Sequence, residues 1–502
     1  MSVIGATSQS ERSRKPHPVD EVLPAPRLVI LGVQHLFIMY AGAVAVPLLV
    51  GSALNLSTKT IGLLVNADLL VSGIATIIQS AGIRNILGVR LPVVAGATFT
   101  VVTPFIVIAQ KYGIQAVYGA MLVSGVFGLL MAKPFSTITR FFPPLVAGTV
   151  ITVIGLSLIG ADVSLIAGND PTAPSFGPES HILLAGLVVL LIIFITRFFR
   201  GFIGQIAVLL SIAIGTLVAW PMGLLHFGSV SHAKVVGFSG FFHFGGPKFQ
   251  AAAIISMCIV MLVTFTESTA DMLAVSDMVD RPLSPNDLAR GLATDALSAF
   301  IASFTNSFPD TAFAENVGLV EITRVRSRWV VTVCGVCLVI LGVLPKVGQV
   351  VANIPGPVIG AAATVMFGMV AAVGIRILQK VSYAGNNNLL IVAVSISFGL
   401  IPAFAPNFYQ HFPKNLQVIF DSSITSTVIA AFLLNLLFNH WRRPGESAVG
   451  LGGEALADEL NRPEVAERAA APHAGPAPNN TESSAVGESQ PQAPTARWGG
   501  GE

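Results

Sequence analysis

Between Glu267 and Arg324, acidic side chains stand inside or beside strongly apolar sequence. Glu267 follows the apolar run 251–265, Asp271 comes one helical turn later, Asp295 lies in the next apolar stretch, and Glu315-Asn316 follows Phe308-Pro309. A charge at membrane depth costs roughly 2.5–3.5 kcal/mol on insertion scales, so carboxylates kept there bind a substrate, carry a proton, or do both.

The elements that must hold these groups are read from composition. Of 502 residues, 53% are hydrophobic and only 11% charged, against about 25% charged in a soluble domain. Such depletion over most of the chain predicts a polytopic helical membrane protein. The 48 glycines and 31 prolines suit helices that pack closely or break inside a bundle. A net charge of +2 is too small to suggest nucleic acid as a partner, and none is expected. Cys258, Cys334 and Cys337 lie in apolar runs and read as packing residues, because Cys334-x-x-Cys337 has no βαβ context. No cleavable leader is expected, since the first apolar run is too long for one.

Apolar runs measured against the ~20 residues that cross a bilayer give fourteen spans, near 28–51, 61–82, 92–110, 116–132, 144–161, 181–199, 202–225, 250–275, 289–307, 310–321, 328–344, 356–377, 387–404 and 418–440. With a cytoplasmic N-terminus, thirteen Lys and Arg residues from Arg84 to Lys380 fall in inner loops. Six (Lys59, Lys111, Lys234, Lys248, Lys346 and Lys414) fall outside. That bias is the one expected of cytoplasmic loops. Both ends are then cytoplasmic, with Arg442 and Arg443 just after the last span. Residues 1–26 and the Ala/Pro/Gly/Glu-rich 444–502 are expected as disordered tails around a transmembrane domain of 27–443.

Fourteen spans divide into seven and seven, and an odd-numbered repeat must be inverted. Spans three (Leu91-Pro92-Val93-Val94-Ala95-Gly96-Ala97-Thr98-Phe99) and ten (Phe308-Pro309-Asp310-Thr311-Ala312-Phe313-Ala314-Glu315-Asn316) are short and polar, and both open on an apolar-Pro pair. Paired interrupted segments at matching places in two halves point to a transporter's binding site, where half-helix N-termini aim positive dipole ends at the ligand.

Here the chain resembles the nucleobase–ascorbate transporters. Their signature (Gln, Glu or Pro, then Asn-x-Gly, four residues, Thr and Arg, Lys or Gly) stands in full from Glu315-Asn316-Val317-Gly318 to Thr323-Arg324. Gln34-His35, Gly96-Ala97-Thr98-Phe99, Glu267 with Asp271, and Asp295 match further marks in order, and the resemblance runs from about Arg27 to Arg443. It implies an inverted seven-plus-seven fold with short antiparallel strands in spans three and ten. It also implies a core of spans 1–4 and 8–11, and a gate of spans 5–7 and 12–14 that carries a homodimer contact. Activity would be proton-coupled uptake by elevator-like movement of the core.

A nucleobase edge alternates N–H donors and carbonyl acceptors. Glu267 and Glu315 are expected to accept from its N–H groups, and the amides near Thr98-Phe99 and Ala314-Glu315 to meet its carbonyls. The Phe99 ring would lie on the base face. Carboxyl groups crowded together out of water titrate jointly, so one of Glu267, Asp271, Asp295 or Glu315 would carry the proton. Blander roles are open for several residues. Glu267 could form a structural ion pair, Asp271 could be solvated, and Asp295 could brace the core. His35 could satisfy a buried network, and Asn316 could hold the broken backbone. Asp68, alone in span two, and Asp310 read as structural. Thr323 and Arg324 would act on selectivity from outside the site, as the resemblance suggests.

Within the family, Glu at position 315 resembles uracil carriers, whereas Asp271 and the run around Phe313-Ala314-x-Asn316-Val317-Gly318 resemble bacterial urate/xanthine permeases. Urate or xanthine is the expected substrate, and uracil is the alternative. An inorganic-anion carrier of the same fold ranks below both, because two glutamates would repel an anion. No cofactor or metal is expected, and no nucleophile–base pair suggests an enzyme. The protein is expected in a bacterial-type cytoplasmic membrane.

Overall fold

In the computed structural model, the described residues are 17–138, 143–168, 173–225, 228–231, 234–237, 240–384 and 387–441. Arg140, Arg442, Arg443 and the tail 444–502 lie outside them. The elements, in order, are α1 (Ala25–Ala53), α2 (Thr58–Ala81), β1 (Ala95–Ala97), α3 (Val102–Tyr112), α4 (Ile114–Ile138), α5 (Pro144–Ala167), α6 (Glu179–Phe198), α7 (Phe202–Gln205), α8 (Ala207–Ala219) and α9 (Gly228–Ser231). They continue with α10 (Ala251–Met278), α11 (Pro285–Thr305), β2 (Asp310–Ala312), α12 (Ala314–Thr323), α13 (Arg328–Gly342), α14 (Pro345–Ala352), α15 (Gly356–Leu378), α16 (Asn388–Phe404), α17 (Lys414–Phe420) and α18 (Ser423–Asn435). Eight helices are long and apolar enough to cross a membrane among the described residues, or nine if the bent pair α13/α14 is one span. This is a multi-pass membrane protein.

Four expectations change in detail. The eleventh run does not end in a loop: α14 turns 82° from α13 and lies on the start of α2, where Gln349 Nε2 donates to Lys59 O at 3.1 Å. The last run is two helices, parted at Ser422, whose hydroxyl caps α18 by accepting from Thr425 N. The seventh run is shorter, with α7 breaking off before α8. Residues 17–24, placed within a disordered tail, are instead docked. Val19 is buried, and Asp20 pairs with Arg281 and Arg328 at 3.2 and 2.7 Å. Trp329 Nε1 and Ser327 Oγ donate to the backbone oxygens of Asp20 and Glu21. Arg328 also donates to Ser80 O and Ala81 O, tying the end of α2 into the same knot.

The helices pack in matching pairs. α4 lies along α11 and α10, as α13 lies along α2 and α1. α5 crosses α15, α6 packs on α8 and α15, and α16 packs on α18 and α5. Two packing groups result, α1–α4 with α10–α14 and α5–α8 with α15, α16 and α18, while α17 lies on α10 and α3 ahead of α18. The two groups meet where α1 touches α5, α8 and α15, and where α10 touches α5 and α18.

In lipid, helices gain little from burying apolar surface and associate through close backbone approach at small residues. At Gly73 an added Cβ would sit 2.7 Å from Val339 N and 2.8 Å from Gly335 O; at Gly335 it would sit 2.9 Å from Gly73 O. The α5/α15 crossing repeats this, with Gly148 and Gly374 each facing the other's carbonyl. Gly73→Leu must push α2 off α13, an overpacking cost of about 1–3 kcal/mol. The melting temperature of the purified protein should fall, whereas Gly186→Leu, at a position with open space around it, should leave it unchanged.

Candidate functional site

The two weak segments leave the helical path as strands, and the strands find each other. β1 and β2 pair antiparallel, with Ala95 opposite Ala312, Gly96 opposite Thr311 and Ala97 opposite Asp310. Thr98 N donates to Pro309 O and Phe313 N to Val94 O, both at 2.9 Å, extending the pairing at each end. Small side chains make this possible. A Cβ on Gly96 would lie 2.8 Å from the Phe313 ring, which fills the space between Gly96 and Gly42 of α1.

Backbone interrupted at membrane depth must have every polar group met by protein, and buried hydroxyls do this here. Thr76 Oγ1 accepts from Ala95 N at 3.0 Å, Ser298 Oγ from Asp310 N at 3.0 Å, and Ser268 Oγ from Ala312 N at 3.0 Å. Each strand then releases the chain into a helix. Phe99–Val101 forms a 3-10 turn leading into α3, capped by Thr98 Oγ1, which accepts from Thr100 N. α12 begins at Ala314 with no side-chain cap, leaving its N-terminal dipole turned to whatever lies before it.

Glu267 of α10 sits against the first of these starts. Its Oε1 accepts from Thr100 Oγ1 at 2.6 Å and its Oε2 from Thr98 Oγ1 at 3.1 Å. The next residue, Ser268, bonds β2 through Ala312 N and Thr311 Oγ1, so adjacent residues of one helix hold β2 and the turn that follows β1. Glu267 also lines a small cleft between the two packing groups, with Val263 and Thr266 of α10, Val146, Val150 and Ile151 of α5, and Val428 of α18. A basic partner for Glu267, the structural alternative, is not seen among the described residues; hydroxyls hold it instead.

The other expected residues fall into three places. Asp271, half-buried one turn below Glu267, is within electrostatic reach of Glu267, Glu315 and Asp295. Phe99 is partly buried, its ring edge-on to Phe367 of α15 with centroids 5.0 Å apart. Ala314 is exposed and Glu315 half-buried at the head of α12. Asp295 is buried and accepts from Gln79 Nε2 at 3.1 Å, which also donates to Gly291 O, so it braces α11 against α2. Asn316 Nδ2 donates to His35 O at 2.9 Å and lies 3.2 Å from His35 Nδ1, tying α12 to α1. Thr323 and Arg324 close the far end of α12, with Thr323 Oγ1 on Leu319 O and Arg324 in the left-handed region at φ 52°. They are brought to no contact with Glu267.

Sequence reasoning missed Thr100, the shortest contact to Glu267, and Ser268. It also read Asp68 as isolated. Asp68, Ser72, Thr76 and Gln79 form a buried polar stripe on one face of α2. Ser307 Oγ donates to Asp68 and Ser72 Oγ to Asp310 at 2.8 Å. The signal was available: polar residues recurring at helical spacing inside an apolar run.

Residues 26–408 match the family model described as "Permease family". The chain is 40% identical over 438 residues to the uric acid transporter UacT of Escherichia coli, spanning 87% of this chain and 91% of that protein. It is also 40% identical over 409 residues to the xanthine permease of Bacillus subtilis, spanning 82% and 93%. The uric acid permease PucJ of the same organism is 39% identical over 418 residues, again spanning 82% and 93%. In fold, the chain resembles the transmembrane domain of the cyanobacterial bicarbonate transporter BicA (TM-score 0.52, 11% identity, 80% of this chain and 96% of that one). It also resembles SLC26A9 (TM-score 0.55, 12% identity, 83% and 66%). At such identities the likeness concerns architecture alone.

A net hydrogen bond to a charged group is worth about 1.5–3 kcal/mol. Thr100→Val removes the shorter of the two bonds that aim Glu267, and ligand binding measured on purified protein should weaken roughly tenfold. Thr100→Ser, which keeps the hydroxyl, should stay near the parent value.

Proposed function

Because this chain belongs to the nucleobase–ascorbate permease family, and is a transporter rather than an enzyme, we propose that it carries a purine nucleobase, urate or xanthine, inward across the cytoplasmic membrane with a proton. The observation that carries the reading is Glu267, held by Thr98 and Thr100 at one half-helix start and tethered through Ser268 to the strand that leads into the other. A carboxylate so placed accepts from ring N–H groups. The first amides of α12, beside Ala314 and Glu315, supply donors for the ring carbonyls, and Phe99 supplies an apolar face. A wrong base would leave buried donors or acceptors unpaired, which is the strongest form of discrimination a small site has.

The architecture we infer is a seven-plus-seven inverted repeat. Eight long helices, the bent pair, three shorter apolar helices, α11 and α12 make fourteen segments. The packing is reciprocal, α4 on α10 and α11 answering α13 on α1 and α2. Spans 1–4 and 8–11 form the moving core and spans 5–7 and 12–14 the gate, which carries a homodimer contact. Both termini face the cytoplasm. Asp271, next to Glu267 and within reach of Glu315, is the candidate to share the coupled proton, with His35, Asn316 and Asp295 supporting the frame. Thr323 and Arg324 tune access from the far end of α12. The relatives named for urate and xanthine support a purine. The presence of Glu at position 315 favours uracil as the second reading. An inorganic anion is disfavoured by four carboxylates in one neighbourhood.

Radiolabelled uptake into cells lacking their own permeases, competed with urate, xanthine, uracil and sulfate, tests this. Urate or xanthine should compete best. Acidifying the medium should speed uptake and a protonophore should abolish accumulation; indifference to both would exclude proton symport. Glu315→Gln should preserve or sharpen purine use and damage uracil use. Accumulation that survives Glu267→Gln together with Glu315→Gln would overturn the site.

A further inference from the structure

Where the two packing groups meet, buried apolar residues of both share one cluster, among them Ala45 and Val260 with Val146, Val150 and Phe367. One end of the seam is different. Lys111, at the last turn of α3, forms an ion pair with Asp421 between α17 and α18 and donates to Gln417 Oε1 at 2.9 Å. The next residue, Tyr112, donates to Asn415 Oδ1 of α17 at 2.9 Å. Beneath them Ser256 of α10 and Thr425 of α18, both buried, share a hydrogen bond at 3.1 Å. These contacts all lie where α3 ends and α10 begins. Glu267 is eleven residues further along α10, about 16 Å at 1.5 Å per residue.

The opposite end is built otherwise. There the charged contacts (Asp20 with Arg281 and Arg328, and Arg326 with Asp280) join members of one group and leave the seam unbridged by these pairs. α12, running from the site toward that end, presents an exposed Ala314, a Gly318 with nothing within 4 Å of an added Cβ, and an exposed Glu321. The seam is therefore bridged by polar side chains at the Lys111 end, while α12 at the other end keeps exposed positions. The ion pair is mostly but not wholly shielded, with side chains 22% and 15% exposed.

We propose that Lys111 and Asp421 are positioning residues for transport, forming a latch that seals the α3/α10 end of the seam and must open in every cycle. This rests on the reading that the α1–α4/α10–α14 group moves against the other. The test uses the full chain with Cys258→Ala, Cys334→Ala and Cys337→Ala. Oxidation of a variant that also carries Lys111→Cys and Asp421→Cys should cut urate or xanthine uptake at least tenfold, with recovery on reduction and base binding kept within about twofold. Uptake undiminished by a completed cross-link would overturn the latch while leaving nucleobase transport intact. A second readout needs no uptake. Ser256→Cys should react slowly with a membrane-impermeant maleimide and at least fivefold faster when Lys111→Gln is added; equal rates would overturn the latch whatever the substrate proves to be. Charge exchange, Lys111→Asp with Asp421→Lys, should restore the slow labelling.

Discussion

An interrupted helix in a bilayer leaves N–H and C=O groups that lipid cannot satisfy, and the whole centre of this molecule follows from that constraint. Two interruptions, one in each half, are solved jointly by pairing Ala95–Ala97 with Asp310–Ala312. The outer edges of the pair are met by Thr76, Ser298 and Ser268. The solution fixes the positions of two helix starts relative to each other. Glu267 inherits its place from the same arrangement, because the helix that bears it is pinned to β2 by Ser268 and to the β1 side by two threonine hydroxyls.

Around that centre, the acids divide by what holds them. Asp295 accepts from Gln79 and Asp310 from Ser72, and both bonds cross from one half of the chain to the other. Their evident work is to keep α2, α11 and β2 in register. Glu267 lines the cleft, held by Thr98 and Thr100, and Glu315 stands at the exposed head of α12, with Asp271 one turn from Glu267. Burial separates the two sets: Asp295 and Asp310 are fully buried, whereas Glu267, Asp271 and Glu315 are half-buried.

Much of this was legible in the sequence. Apolar runs located the long helices, and the Pro-led weak segments located the interruptions, because small residues and prolines are what a broken helix needs. The acids stood out because charge in an apolar run is rare. Thr100 and Ser268 did not stand out, since hydroxyls inside membrane helices commonly bond their own preceding turn, as Thr269 does on Phe265 O. Only the fold reveals which ones reach across. The α14 bend was hidden for a related reason. An eight-residue helix beginning at Pro345 reads like a loop, and its seat on α2 depends on Gly62 and Gly348 coming together from distant parts of the chain.

The pairing of β1 with β2 also bears on biogenesis. About two hundred residues separate the partners, and ribosomes add roughly 5–20 residues per second. The first strand therefore spends on the order of 10–40 s in the membrane with its edge unmet. The docked turn around Asp20 waits longer still, since Arg328 is made later. The first half therefore enters the membrane before the strand that completes its sheet has been made, and Thr76, which already meets Ala95 from within that half, is the partner available to it in the interval.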